Sequence, residues 1–199
     1  VTGVQTCALP ISVNTVNFNG EILSGYNTDY IGFGACLKNS DIQISNKAAI
    51  ILGTGGASKA VSQYLIDNKI KDICFVSRNP KNVLSNTEGI EILSYDELEK
   101  RKNGQMIINC TPCGMYPHIK ECPVNKNIIS RYSIAIDLIY NPIETIFLKY
   151  SNQFGLNTIN GLYMLVAQAT AAQEIWQNTK FNQKLVDEIY FKIKKSLHS

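Results

Sequence analysis

The chain has 199 residues, enough for one large domain or for one domain and part of another, and its 45% hydrophobic and 18% charged residues give an ordinary globular balance. No apolar run reaches a membrane-spanning length and the net charge of +3 is spread out, which argues against a membrane-embedded protein and against a strongly basic nucleic-acid binder. Only the terminal FKIKK is locally basic, and its lysines alternate with apolar residues as they do on a solvated helix face.

Residues 1–12, VTGVQTCALPIS, carry no charge and lack the basic start and long apolar core of an export signal. Pro10 also disfavours a central strand there. VTGVQTCALPI reads best as the translation of a short-read sequencing adapter joined in frame, so 1–12 are expected to be a non-native leader. Of the six cysteines (Cys7, Cys36, Cys74, Cys110, Cys113 and Cys122), Cys36 and Cys74 sit in apolar surroundings, as small core residues do. With no export signal, a reducing, cytoplasmic setting is the expectation.

Asp29 closes the stretch GYNTD and reads as the cap of a helix over 30–38. The apolar run 47–52 predicts a buried strand. A helix over 56–68 follows, with Ala57, Ala60, Val61, Tyr64 and Leu65 at helical spacing. Further strands are predicted over 73–77, 106–110, 134–138 and 156–159, and helices over 95–100 and 143–150. Apolar strands alternating with helices indicate the α/β class, a doubly wound parallel sheet covered on both faces. From Gly161 the pattern changes. Two helices, over 161–177 and 183–197, have no strand between them and are expected to pack elsewhere.

ILGTGGASKAV lies between a predicted strand and a predicted helix, as a dinucleotide-binding turn requires. Gly53 permits the tight turn, Gly55 lets the backbone approach a pyrophosphate, and the helix start offers free N–H groups. Ser58 replaces the third glycine of the usual fingerprint. Alone, such a fragment is a plain strand-to-helix turn, and its context carries the nucleotide reading. The next strand ends Ser77–Arg78–Asn79 with Lys81 nearby and no carboxylate, which favours NADP because the arginine fork suits a 2′-phosphate.

Three further motifs carry chemistry. INCTPCGMYPHIKEC spaces Cys110, Cys113, His118 and Cys122 almost like a zinc knuckle. Cys110 continues a strand, however, and Pro112 and Pro117 constrain the turn, so no metal is expected. The Cys110–Cys113 pair lacks the helix that a redox motif needs at its first cysteine. DLIYNPIET ends a strand on the side where open parallel sheets bind ligands. NGLYMLVAQA places Met164 and Gln168 on one face of a helix, where core packing and surface exposure are their plain readings.

In their order along the chain, VNTV, GYNTD, GTGGASKAV, SRN, NCTPCGM, DLIYNP and NGLYMLVAQA resemble the shikimate dehydrogenase family over about residues 13–199. The resemblance implies NADPH-dependent reduction of 3-dehydroshikimate to shikimate, on the route to aromatic amino acids. It implies that Asn14, Asp29, Tyr140 and Gln168 hold the substrate, with Asp29 also the carboxylate of a catalytic lysine–aspartate pair. Gly53, Gly55, Gly56 and Ala57 would cradle the pyrophosphate, Ser77 and Arg78 would take the 2′-phosphate end, and Thr111, Gly161 and Met164 would flank the nicotinamide side. The implied domains are an NADP-binding Rossmann unit over 29–160, a remnant of the substrate domain over 13–28, and helices over 161–199 that return to it.

The resemblance also places the catalytic lysine and a substrate-gripping serine pair ahead of VNTV, and Lys38, Lys47 and Lys59 lie in no matching context. The chain is therefore expected to be a fragment, weak or inactive as a catalyst, with exposed apolar residues at Leu165, Val166, Ile175 and Trp176. Its expected partner is a small-molecule substrate, with no nucleic acid and no membrane, and a homodimer is left open. Two alternatives stand beside this reading: a quinate/shikimate dehydrogenase using NAD, and a nucleotide-binding module without catalysis.

Overall fold

The structure is a computed structural model that describes residues 13–82, 90–102 and 104–197; the leader expected over 1–12 lies outside them. The first described elements are an antiparallel hairpin, β1 (Thr15–Phe18) and β2 (Leu23–Tyr26), followed by α1 (Thr28–Asn39). The Asn19 carboxamide closes the hairpin turn by accepting from the backbone N–H groups of Glu21 and Ile22 at 3.1 and 2.8 Å. Asp29 is not the helix cap. Asn27 holds that position, extended, with its side chain accepting from the Tyr30 N–H at 3.1 Å. Asp29 lies in the first turn instead, where a carboxylate meets the positive end of the helix dipole.

The chain then alternates: β3 (Ala48–Leu52), α2 (Gly56–Asp67), β4 (Asp72–Val76), β5 (Glu91–Leu93), α3 (Tyr95–Lys100), β6 (Met106–Asn109), α4 (Lys126–Ile129), β7 (Ile134–Asp137), α5 (Ile146–Gln153) and β8 (Asn157–Ile159). Two long helices follow, α6 (Leu162–Gln177) and α7 (Gln183–Leu197). Strands β3 to β8 form one sheet of order β5-β4-β3-β6-β7-β8, every neighbouring pair parallel. This is the doubly wound order, in which the chain runs out to one side from β3 and then returns to the other side through β6.

The period of two along each strand builds two cores. Ala49 and Ile51 of β3 share one buried cluster with Phe33 of α1, Val61 and Leu65 of α2, and Tyr163, Met164 and Ala167 of α6. Ile50 and Leu52 face the opposite cluster with Leu98 of α3, Ile128 and Ile129 of α4, and Phe147 and Leu148 of α5. Both faces are thus apolar, which is why β3, β6 and β7 read as unbroken hydrophobic runs. Each fully buried leucine or isoleucine here contributes about 2 kcal/mol of transfer free energy.

The structure departs from the sequence expectation in three further places. Helix α6 packs chiefly along α1 and reaches β1 of the hairpin, with Tyr163, Met164 and Ala167 joining the first core, and Val166 is buried rather than exposed. Helix α5 starts at Ile146, three residues later than expected, since the Thr145 hydroxyl caps it by accepting from the Leu148 N–H at 3.3 Å. The hairpin, the three-residue β5 and the one-turn α4 carry too little periodic signal to be read from sequence.

Candidate active site

In an open parallel sheet, ligands bind beyond the carboxyl ends of the strands where the chain reverses direction, here between β3 and β6. A cleft of about 770 Å³ lies there, and Gly53, Gly55, Ser77, Arg78 and Thr111 line it. Gly53 follows β3 with φ +97, a value that strains any L side chain, and a Cβ there would stand 3.0 Å from the Thr111 methyl. Its N–H donates to the Val76 carbonyl at 2.9 Å, which ties the turn to β4.

Gly55 is the N-cap of α2, with no side-chain cap, and a Cβ there would meet nothing within 4 Å. The first N–H groups of the helix, at Gly56 and Ala57, therefore point out with no acceptor inside the helix. Ser58, where a third glycine is usual, is completely buried and donates its hydroxyl to the Gly55 carbonyl at 2.7 Å. The serine thus stabilises the turn rather than filling the cleft. Arg78 is exposed at the rim. A glycine turn, an uncapped helix start and a cationic fork on one cleft fit a dinucleotide carrying a 2′-phosphate.

A buried polar network that the sequence reading missed underlies this cleft. Asn109 and Asp137 end β6 and β7 and are register partners. The Asn109 amide donates to an Asp137 carboxylate oxygen at 3.0 Å and to the Cys113 carbonyl at 3.3 Å. Its oxygen accepts from the Thr111 N–H at 3.0 Å and from the Thr111 hydroxyl at 2.6 Å. Asp137 also accepts from the Ile139 N–H at 3.1 Å and from the Thr145 hydroxyl at 2.6 Å. Burial pushes the Asp137 carboxyl up to about 6, against the lowering effect of those donors. The available sequence signal was a polar residue ending each of two otherwise apolar strands.

Three of the expected substrate residues, Asn14, Asp29 and Gln168, lie around the start of α1. The Asn14 side-chain oxygen accepts from the Thr28 N–H at 2.8 Å and from the Thr28 hydroxyl at 3.1 Å, so the hairpin is latched to the start of α1. Burial raises the Asp29 carboxyl above the usual aspartate range, and a hydrogen bond with Asn14 partly offsets that. Gly32, one turn along α1, sits so close to α6 that a Cβ would lie 2.7 Å from the Met164 carbonyl and 3.1 Å from the Gln168 Cβ. Asn14, Asp29 and Gln168 are thereby brought to one corner.

Tyr140 is exposed on the loop after β7. Gly161 and Met164 do not line the cleft. Gly161 is pressed against the Leu138 backbone, its N–H donating to the Ile139 carbonyl at 3.0 Å, and Met164 is buried in the first core. Cys110, Cys113, His118 and Cys122 all adjoin the cleft, yet among the described residues no three His, Cys, Asp or Glu side chains converge to hold a metal ion. His118 instead approaches Glu121 at 3.7 Å, both exposed.

The chain is 46% identical over 180 residues to the NADP(+) shikimate dehydrogenase of Clostridium beijerinckii, covering 90% of this chain and 66% of that protein. It is 40% identical over 185 residues to the corresponding Clostridium perfringens enzyme, covering 92% of this chain and 68% of that one. Among solved structures, a chorismate mutase/shikimate 5-dehydrogenase fusion protein from Clostridium acetobutylicum superposes with a TM-score of 0.91 at 48% identity, covering 94% of this chain and 69% of that one. The chain belongs to the shikimate dehydrogenase family. No family model matches it. It spans about two thirds of the length of the shikimate dehydrogenases it matches. Among the described residues, no helix is long and apolar enough to cross a membrane.

Proposed function

We propose that the chain binds NADP+ and NADPH in the cleft above β3, β4 and β6, and that this cleft serves the reduction of 3-dehydroshikimate to shikimate. The carrying observation is that Gly53, Gly55, Arg78 and Thr111 meet on one cleft, with no carboxylate at the end of β4 to select the ribose hydroxyls of NAD. Arg78 and Ser77 take the 2′-phosphate end, and the N–H groups of Gly56 and Ala57 take the pyrophosphate. Thr111 borders the nicotinamide half, while Gly161 and Met164 support that side from the core. Bound NADPH supplies the hydride. Asn14, Asp29, Gln168 and Tyr140 hold the hydroxyls of the substrate. In this reading 29–160 form the cofactor unit, and 13–28 with 161–199 form the substrate side.

A ketone reduction also needs a proton at the forming alcohol oxygen, and a cation beside Asp29 would deliver it. Among the described residues none of the ion pairs involves Asp29, and burial and Asn14 alone set its carboxyl. We therefore expect this chain by itself to bind nucleotide well and to turn over slowly, the behaviour that a non-catalytic binding module would also show. The exposed apolar hairpin supports self-association as a homodimer, which sedimentation would check.

Calorimetric titration tests the cofactor assignment. NADP+ should bind more tightly than NAD+, and Arg78→Ala should weaken NADP+ by roughly ten- to a hundredfold while leaving NAD+ within about threefold. Equal affinity for both nucleotides in the parent chain would remove the assignment.

A further inference from the structure

We propose that Asp137 is a positioning residue for the cofactor, acting through Asn109 to fix Thr111 and the loop after β6 against the nicotinamide half of the cleft. The inference rests on the NADP reading above and adds residues which that reading does not use.

The geometry begins with the sheet register. Asn109 and Asp137 are opposite one another at the carboxyl ends of adjacent parallel strands, so their side chains leave the sheet on the same face. Both are completely buried. The Thr111 N–H and the Cys113 carbonyl, each of fixed polarity, already favour one orientation of the Asn109 carboxamide, at 3.0 and 3.3 Å. The carboxylate locks that orientation, because it only accepts, and the Asn109 Nδ2 faces it at 3.0 Å, a shorter contact than the one to Cys113. Asn109 Oδ1 is then forced toward Thr111, where it accepts both the N–H and the hydroxyl at 3.0 and 2.6 Å. Thr111 in turn presents its hydroxyl oxygen to the Cys113 N–H at 3.3 Å.

The other end of the network is anchored on α5. The Thr145 hydroxyl has one hydrogen and gives it to Asp137 at 2.6 Å, while its lone pairs cap the helix at the Leu148 N–H. Gly114, with φ +98, lies over this residue, and a Cβ there would stand 3.6 Å from the Thr145 Cβ. The loop after β6 is thus held from both sides, by Asn109 beneath and by the start of α5 beside it. No buried side-chain nitrogen or oxygen among the described residues lacks a partner, so the network has no slack.

The direction of the cleft decides which part of the ligand this affects. Arg78 follows β4 and takes the adenosine end, and Thr111 follows β6 on the opposite side of the Gly53 turn. A dinucleotide whose pyrophosphate sits at Gly55 therefore lays its two halves over β4 and β6 respectively. A loosened loop after β6 penalises only the nicotinamide half.

The test compares NADP+ with 2′,5′-ADP, which keeps the adenosine half and its 2′-phosphate, by calorimetric titration of the full chain. Three variants are used: Asp137→Asn, which keeps shape and loses the acceptor-only character; Thr145→Val, which removes the hydroxyl; and Thr145→Ser, which restores it. Asp137→Asn and Thr145→Val should weaken NADP+ by roughly tenfold, with 2′,5′-ADP within about twofold and Thr145→Ser matching the parent. A thermal melt of each variant establishes folding, and Thr145→Val decides if Asp137→Asn does not fold. Unchanged NADP+ affinity, or an equal loss for both ligands, overturns the positioning role. A parent chain that binds neither ligand overturns the NADP reading itself and the inference with it.

Discussion

The two ends of the sheet-facing surface differ in how completely they are satisfied. At the cleft, Asn109, Asp137 and Thr145 are sealed from water and each polar atom is matched to a partner a short distance away. At the hairpin, Val16 is 49% exposed, Phe18 64% and Trp176 52%, and the Trp176 indole N–H donates across to the Val16 carbonyl at 2.8 Å. The first region is closed by its own sequence neighbours, since βα units bring each loop back over the next strand. The second is held by a few backbone and side-chain contacts spread over a surface that water reaches. The proposed nucleotide cleft therefore lies in the more completely buried part, and Asn14 and Asp29, proposed for the substrate, lie in the part with less support.

Substitutions that add one methyl group break this comparison most sharply. Gly161→Ala places a Cβ against the Leu138 backbone under the cleft, and denaturant titration should show a loss of roughly 3 kcal/mol or more. A loss below about 1 kcal/mol would mean that α6 and the β7 loop can slide apart freely.

The next effect is electrostatic. Asp137 has a folded-state pKa raised to about 6, so the native state binds its proton more tightly than the unfolded chain does. Its contribution is full below the ordinary aspartate value of about 4 and is lost as pH rises through about 6, worth about 2 to 3 kcal/mol in all. Melting curves from pH 4 to 7 should therefore show the parent chain losing stability relative to Asp137→Asn as pH rises. Parallel pH profiles for the two chains would contradict the burial of an ionisable group there.

The smallest effect is in the hairpin. Gly20 has φ +96 with nothing within 4 Å of an added Cβ, so Gly20→Ala meets only backbone strain. It should cost about 1 kcal/mol and leave NADP+ affinity unchanged. A change in affinity would show that the two regions are coupled more tightly than their contacts imply.

The same contrast explains what could be read from sequence. Strands β3, β6 and β7 were readable because both their faces are buried, and the turn after β3 because Gly53 and Gly55 stand between a strand and a helix. The hairpin was not, because β1 turns Val16 and Phe18 outward and so inverts the usual burial pattern. The corner proposed for the substrate could be named only through family resemblance, since its closeness depends on Gly32 letting α1 approach α6. The Asn109–Asp137 pairing needs the strand register, which no local motif states. Asp29 resembles a cap in sequence, but Asn27, two residues earlier, offers the same chemistry directly before the first helical residue.

The most direct measurement is amide hydrogen exchange across the chain with and without NADP+, with NAD+ at the same concentration as control. NADP+ should raise protection at 53–57, 77–79 and 109–115 and leave the hairpin at 15–26 unchanged, with NAD+ producing less at 77–79. Protection confined to the hairpin and α6, or identical patterns for the two nucleotides, would contradict the placement of a 2′-phosphate-reading cofactor cleft between β3 and β6.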